Sequence, residues 1–265
     1  MKKKTFVIPN LTFTNSEILE ADMCARELWR GYEYHSNCRI VSDEVFLKDF
    51  YNIGRQQDTN LTPGLLSISE DKVIDLLSAA KLGNSLRFGT LDIQKGLAAI
   101  PRHGDPVYKK WLAKKHSRGN FWVDGAKLIV QIGREFNSAT VTKASRGIQA
   151  AVSSRILFYS MPKMSIFPYS VALAKKLKVF DDDPQKSVNQ YSQTLAEAYY
   201  NNWKFLEEIK MPLPTILSDQ EWEEIRNSGW WQRRVLDLCV VLRFRLFEVK
   251  DFVRIIMTNN PKIYP

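Results

Sequence analysis

Two stretches of this sequence carry side chains that could do chemistry beyond packing. Residues 229–242 open with Trp230, Trp231, Gln232, Arg233 and Arg234 and continue through Val235, Leu236, Cys239, Val240 and Leu242. At about 100° per residue the aliphatic positions share one stripe, so an amphipathic helix is expected. Its first turns would gather flat rings, an amide and guanidinium groups where the unpaired N–H groups and the positive dipole end lie, a combination suited to a phosphate or to the edge of a base. In residues 108–122, Lys109, Lys110, Lys114, Lys115 and Arg118 alternate with Tyr108, Trp111, Phe121 and Trp122. Cations for phosphates interleaved with rings for stacking fit a nucleic acid. Each stretch also has a plainer reading, a packed tryptophan corner with a solvated rim in one case and a helix with outward lysines in the other.

The charge distribution narrows the field. The chain has 265 residues and a formal net charge of +9, with a pI near 9.4. Residues 101–176 hold 14 Lys and Arg against Asp105, Asp124 and Glu135, an excess of +11, which leaves the rest at −2. A basic middle in a near-neutral chain is the footprint of a face for polyanions. Cys24, Cys38 and Cys239 are scattered and odd in number, which argues against a disulfide scaffold or zinc cage. His35, His103 and His116 are far apart in sequence, and no G-x-G-x-x-G, P-loop, G-x-S-x-G or H-E-x-x-H occurs. No metal or cofactor is expected. The basic start is followed by too short an apolar run for a signal segment or membrane span, so a cytoplasmic monomer with no membrane partner is expected.

The elements that must position these residues are mostly helical. Residues 4–14 form the one strand-like run, limited by Pro9, and a helix begins near Asn15 with Asn15 or Ser16 as its cap. Helical patterns follow at about 43–52, 70–82, 90–99, 106–115, 123–136, 147–159, 170–177 and 186–209. Pro162 stops the sixth of these, Ser170 caps the seventh, and a further helix starts at Ser218 or Asp219 with Glu221 or Glu223 at capping-box distance. The chain is expected to be one unit, 1–265, of two packed helical lobes (about 1–120 and 121–265) with a cleft between them.

Residues 153–177, a helix, a proline loop and a second helix beginning at Pro168, Tyr169 and Ser170, resemble the catalytic region of helix-hairpin-helix DNA glycosylases. Gly229, Trp230, Trp231 and Gln232, followed by Val235 and Leu236, are similar to the start of the last lesion-pocket helix in 8-oxoguanine DNA glycosylases. The likeness covers about a third of the chain and is greatest to the compact bacterial proteins of that fold. It implies a two-lobed helical bundle that binds double-stranded DNA, flips a base and cleaves its N-glycosidic bond, with possible lyase action, in repair or in defence against modified foreign DNA. By that likeness Gln232, Trp230, Trp231, Leu236 and Tyr169 would face the base. Leu236 replaces the family's stacking aromatic, Ser170 stands where the family has aspartate, and Ala151 lies near its Schiff-base lysine. With those groups absent, Ser170, Lys143 and Asp124 are the catalytic candidates. Lys109, Lys110, Lys114, Lys115, Arg118, Arg146, Arg155 and Lys163 would hold the DNA backbone. Two alternatives stay open: a DNA-binding module on the same fold without chemistry, and an RNA-binding or protein-interaction domain.

Overall fold

The helical periodicity of the sequence is realised throughout the computed structural model, which describes residues 9–34, 38–40, 42–55, 72–73, 76, 92–113, 120–136 and 143–244. In chain order the elements are α1 (Asn15–Arg30), a hairpin of β1 (Tyr32–Tyr34) and β2 (Cys38–Ile40), α2 (Asp43–Arg55), α3 (Ile93–Ala99), a π-helical turn (Ile100–Gly104) and α4 (Asp105–Leu112). Then come α5 (Val123–Glu135), α6 (Lys143–Ser160), α7 (Val171–Lys176), α8 (Pro184–Asn201), α9 (Trp203–Leu206), α10 (Asp219–Arg226) and α11 (Trp230–Arg243). The expected helix at 70–82 falls largely outside the described residues. None of the described helices is long and apolar enough to cross a membrane.

Local chemistry sets the helix starts. Thr14, one residue earlier than expected, caps α1: its hydroxyl accepts from the Glu17 amide at 3.2 Å while the Glu17 carboxylate accepts from the Thr14 amide at 2.8 Å. Ser218 and Glu221 form the same reciprocal box at α10, where the sequence places it. Gly31 ends α1 at φ +72°, and a Cβ there would lie 2.8 Å from Ser42, so only glycine fits the turn.

Two expectations of regular structure change. Of the run expected over 4–14, residues 4–8 lie outside the described residues and 9–14 belong to no sheet; the strands among the described residues are the antiparallel pair β1 and β2, with Tyr32 opposite Ile40. The backbone near residue 12 is held instead by Asn202, whose Oδ1 accepts from the Phe13 amide (2.7 Å) and whose Nδ2 donates to the Leu11 carbonyl (2.9 Å). One amide side chain thus replaces a neighbouring strand. The helix expected over 186–209 breaks at this same residue, where Asn202 Nδ2 also donates to the Ala198 carbonyl.

Packing joins the two ends of the chain. α1 lies along α11, α2 along α6, and α5 against both α6 and α8. At the centre Trp29, Trp230 and Trp231 meet with ring centroids 5.9–6.4 Å apart. Elements from both sides of residue 120 share one continuous apolar core.

Candidate nucleic-acid interface

Of the basic residues in 101–176, several stand free of the core on consecutive helices. On α5 the exposed stripe is Lys127, Gln131 and Arg134, spaced three and four residues apart while Leu128, Ile129 and Ile132 point inward. The π-helical turn lies beside it: Arg102 reaches Glu135 at 3.4 Å and His103 Nδ1 lies 3.0 Å from Gln131 Nε2. Lys109 and Lys110 project from α4, with Lys109 paired one turn back to Asp105 at 2.7 Å and still 67 % exposed. Arg146 is exposed on the first turns of α6. Pairs of this kind contribute little to stability and leave the cations available to phosphates. Arg102, Lys127 and Arg134 were not singled out from the sequence. The signal for Lys127 and Arg134 was present in the apolar period of 123–136, whose outward positions they occupy, whereas Arg102 lies outside it on the π-helical turn.

The remaining backbone-binding candidates are divided. Arg155 is not on the surface: its Nη1 lies 3.4 Å from Asp237 inside the molecule, with its side chain 16 % exposed. Lys163 pairs with Glu224 at 2.8 Å. Lys114, Lys115 and Arg118 lie outside the described residues.

The expected base-binding rings are core residues. Trp230, Trp231 and Leu236 are fully buried, and Tyr169 is 3 % exposed. The indole of Trp230 donates to the Phe158 carbonyl (2.9 Å), that of Trp231 to Asp22 (3.0 Å), and the Tyr169 hydroxyl meets Ser187 Oγ at 2.8 Å. Their polar atoms are satisfied and their faces covered, so they present no surface to an outside base. Gln232 is partly exposed; its Nε2 donates to the Ile209 carbonyl (3.1 Å) and its Oε1 is buried without a donor.

The three catalytic candidates do not meet. Ser153 Oγ donates to the Ile129 carbonyl at 2.7 Å, and Gly133, later in α5, faces Gln149, earlier in α6, so α5 and α6 are antiparallel. Asp124, in the first turn of α5, therefore lies toward the end of α6, whereas Lys143 begins α6. At 1.5 Å per residue their backbones are roughly 20 Å apart along the axis. The side chain of Lys143 is outside the described atoms. Ser170 does cap its helix, accepting from the Leu173 amide at 3.3 Å. It lies against the first half and the middle of α6, since the Tyr169 amide donates to Ser154 Oγ at 2.7 Å and Val171 packs against Gly147. Trp230 and Arg233 meet the other end of that helix through the carbonyls of Phe158 and Pro162. Between Ser154 and Phe158 α6 rises about 6 Å, so the Ser170 segment and the start of α11 meet it at different turns. An open depression of about 520 Å³ lies elsewhere, lined by Pro9, Asn10, Thr12, Glu197 and Asn201.

What the sequence did not reveal is a buried charge network. Arg234 Nε lies 2.7 Å from Asp43 Oδ2 and its Nη1 3.2 Å from Asp237 Oδ2, while the Tyr159 hydroxyl donates to Asp43 Oδ1 at 2.6 Å. Burial, with the Asp43 charge adding to it, pushes the Tyr159 pKa far up and keeps its hydroxyl protonated. Arg234 and Asp237 share one helix face three residues apart, a visible spacing; Asp43, Arg155 and Tyr159 join them only through packing.

Comparison with known proteins finds no matching family model, no matching curated protein and no matching solved structure.

Proposed function

We propose that this chain is a nucleic-acid-binding protein that holds the phosphate backbone of DNA through the outward basic side chains of α4, α5, the π-helical turn and the start of α6. The observation that carries the reading is the stripe of Lys127 and Arg134 on α5 beside Arg102, with Lys109, Lys110 and Arg146 on neighbouring elements, in the segment where the sequence concentrates its positive charge. Such a face releases condensed counterions when it meets a polyanion, so binding falls steeply with salt and depends weakly on base sequence. Binding without chemistry is favoured by the separation of Ser170, Lys143 and Asp124 and by the burial of Trp230, Trp231 and Leu236.

Base excision by the same chain is the second reading, favoured by the Ser170-capped helix that follows the proline loop. Incubation with duplexes carrying assorted modified bases, followed by alkali, would reveal abasic sites if it holds.

The test of binding is fluorescence anisotropy of a labelled duplex titrated with protein between about 50 and 200 mM salt. The wild-type protein is expected to lose affinity by at least ten-fold over that range, at a slope of about 0.9 per phosphate neutralised. Lys110→Glu with Arg134→Glu should weaken binding to all sequences alike and flatten the slope by about two or more. Affinity that stays level with salt, or a double variant that binds like wild type, removes the proposal.

A further inference from the structure

We infer that the N-terminus of α11 is a binding site for a phosphate-type oxyanion, built around Arg233 and separate from the basic face of α4 and α5. Three features converge there. α11 runs for 14 residues from Gly229, which takes the left-handed conformation (φ +69°) and offers no side-chain cap. Its first backbone bond of the i to i−4 kind goes from the Arg233 amide to the Gly229 carbonyl at 3.2 Å, so the Trp231 and Gln232 amides precede the ladder at the positive end of the helix dipole.

Arg233 folds back onto this turn. Its Nη1 donates to the Ser228 carbonyl at 3.0 Å and lies 3.7 Å from the point a Cβ on Gly229 would occupy; its Nη2 donates to the Pro162 carbonyl. Arg233 is 97 % buried, yet among the described residues no carboxylate pairs with it and its Nε–H has no acceptor. Arginine stays protonated at neutral pH, so a full positive charge is held out of water beside a second positive pole. Burial lowers its pKa to about 10, and the titratable group that opposes this is the Tyr199 phenol rather than an acid. The neighbouring Arg234, by contrast, meets two aspartates.

Tyr199 supplies the third feature. Its hydroxyl sits 2.9 Å from the same point above Gly229, which explains why a side chain there is excluded and brings a further donor to the turn. Gly229, Ser228 and Gln232 are partly open to solvent, giving the turn an accessible side. An oxyanion supplies the countercharge that Arg233 lacks among the described residues and accepts from the amides, the guanidinium and the phenol together. Free phosphate and the phosphate of a nucleic acid share this chemistry.

The experiment follows thermal unfolding of the full chain in sodium phosphate against sodium chloride at equal ionic strength, with affinity for a short single-stranded oligonucleotide measured in parallel. Phosphate at ten times its dissociation constant should raise Tm by about 2–4 °C in a saturable way. Ser228→Asp places a carboxylate where the Trp230 amide already finds the Ser228 hydroxyl at 3.2 Å. It should raise Tm in chloride and abolish the phosphate response. Arg233→Met should abolish the response as well, and Ser228→Asp keeps the question answerable if that variant does not fold. Oligonucleotide affinity lowered several-fold by Ser228→Asp identifies a nucleic-acid phosphate as the occupant; unchanged affinity alongside a lost phosphate response identifies free phosphate. A wild-type response no greater than that to chloride, or one that survives intact in Ser228→Asp, overturns the site, whatever becomes of DNA binding on α4 and α5.

Discussion

Replacing Arg234 by methionine tests the charge network at the centre of the molecule. Arg234 is 7 % exposed and contacts Asp43 through Nε (2.7 Å) and Nη2 (3.3 Å) and Asp237 through Nη1 (3.2 Å). Methionine fills most of the same volume, so the loss is electrostatic rather than a cavity. Asp43 would keep the Tyr159 hydroxyl, and Asp237 the more distant Arg155, but neither would retain a cation at bonding distance beyond the 3.4 Å contact of Arg155. Removing one partner of a buried pair costs about 3–5 kcal/mol, against a total stability for a folded domain of about 5–15 kcal/mol. For a chain of this size the expected fall in Tm is about 6–20 °C. Asp43→Asn combined with Arg234→Met should cost less than the two single changes added together, because the second removes a charge the first has left unpaired. Urea unfolding at neutral pH, followed by tryptophan fluorescence, measures all three variants. A loss under about 1 kcal/mol for Arg234→Met, or strict additivity in the double variant, would refute the account.

Ser170→Ala is expected to cost about 1 kcal/mol through the lost cap on α7; urea midpoints indistinguishable from wild type would show that water replaces the hydroxyl. Stability should also fall in acid through Glu17. Burial alone would raise its pKa, but bonds from Arg243 and from the Thr14 amide and hydroxyl outweigh this and hold it below the ordinary 4.5. A carboxylate held low in the folded state contributes fully above its unfolded pKa, and the contribution is lost as pH falls through the folded value. The wild-type urea midpoint should therefore decline below about pH 5, and Glu17→Gln should be less stable at neutral pH with a shallower decline. Parallel pH profiles for the two proteins would exclude Glu17 as a source of the acid sensitivity.

Much of the fold was legible because helix formation is local. The apolar period of 123–136, the stop at Pro162, the cap at Ser170 and the box at Ser218 and Glu221 act within a few residues of themselves, and each is found where the sequence puts it. The boundary at α1 moved by one residue because Thr14 and Glu17 satisfy each other's amides better than Asn15 or Ser16 could. The break at Asn202 was not legible, since its cause is a pairing with Leu11 and Phe13, nearly the length of the described chain away.

Site composition followed the same division. The sequence by itself placed the positive charge in 101–176 and the ring and guanidinium cluster at 229–234, because charge and residue type are properties of the chain. Which of those groups face water was decided only by tertiary packing. α1 and α6 close over Trp230 and Trp231, whose large apolar area gains most from leaving water and whose indole N–H groups find Phe158 and Asp22. Arg233 and Arg234 are adjacent and alike in sequence, yet a helix sets neighbours about 100° apart, so Arg234 turns toward Asp43 and Asp237 while Arg233 turns toward the backbone carbonyls of Ser228 and Pro162. Charge balance at a buried group depends on partners from distant elements, and those are chosen by the fold.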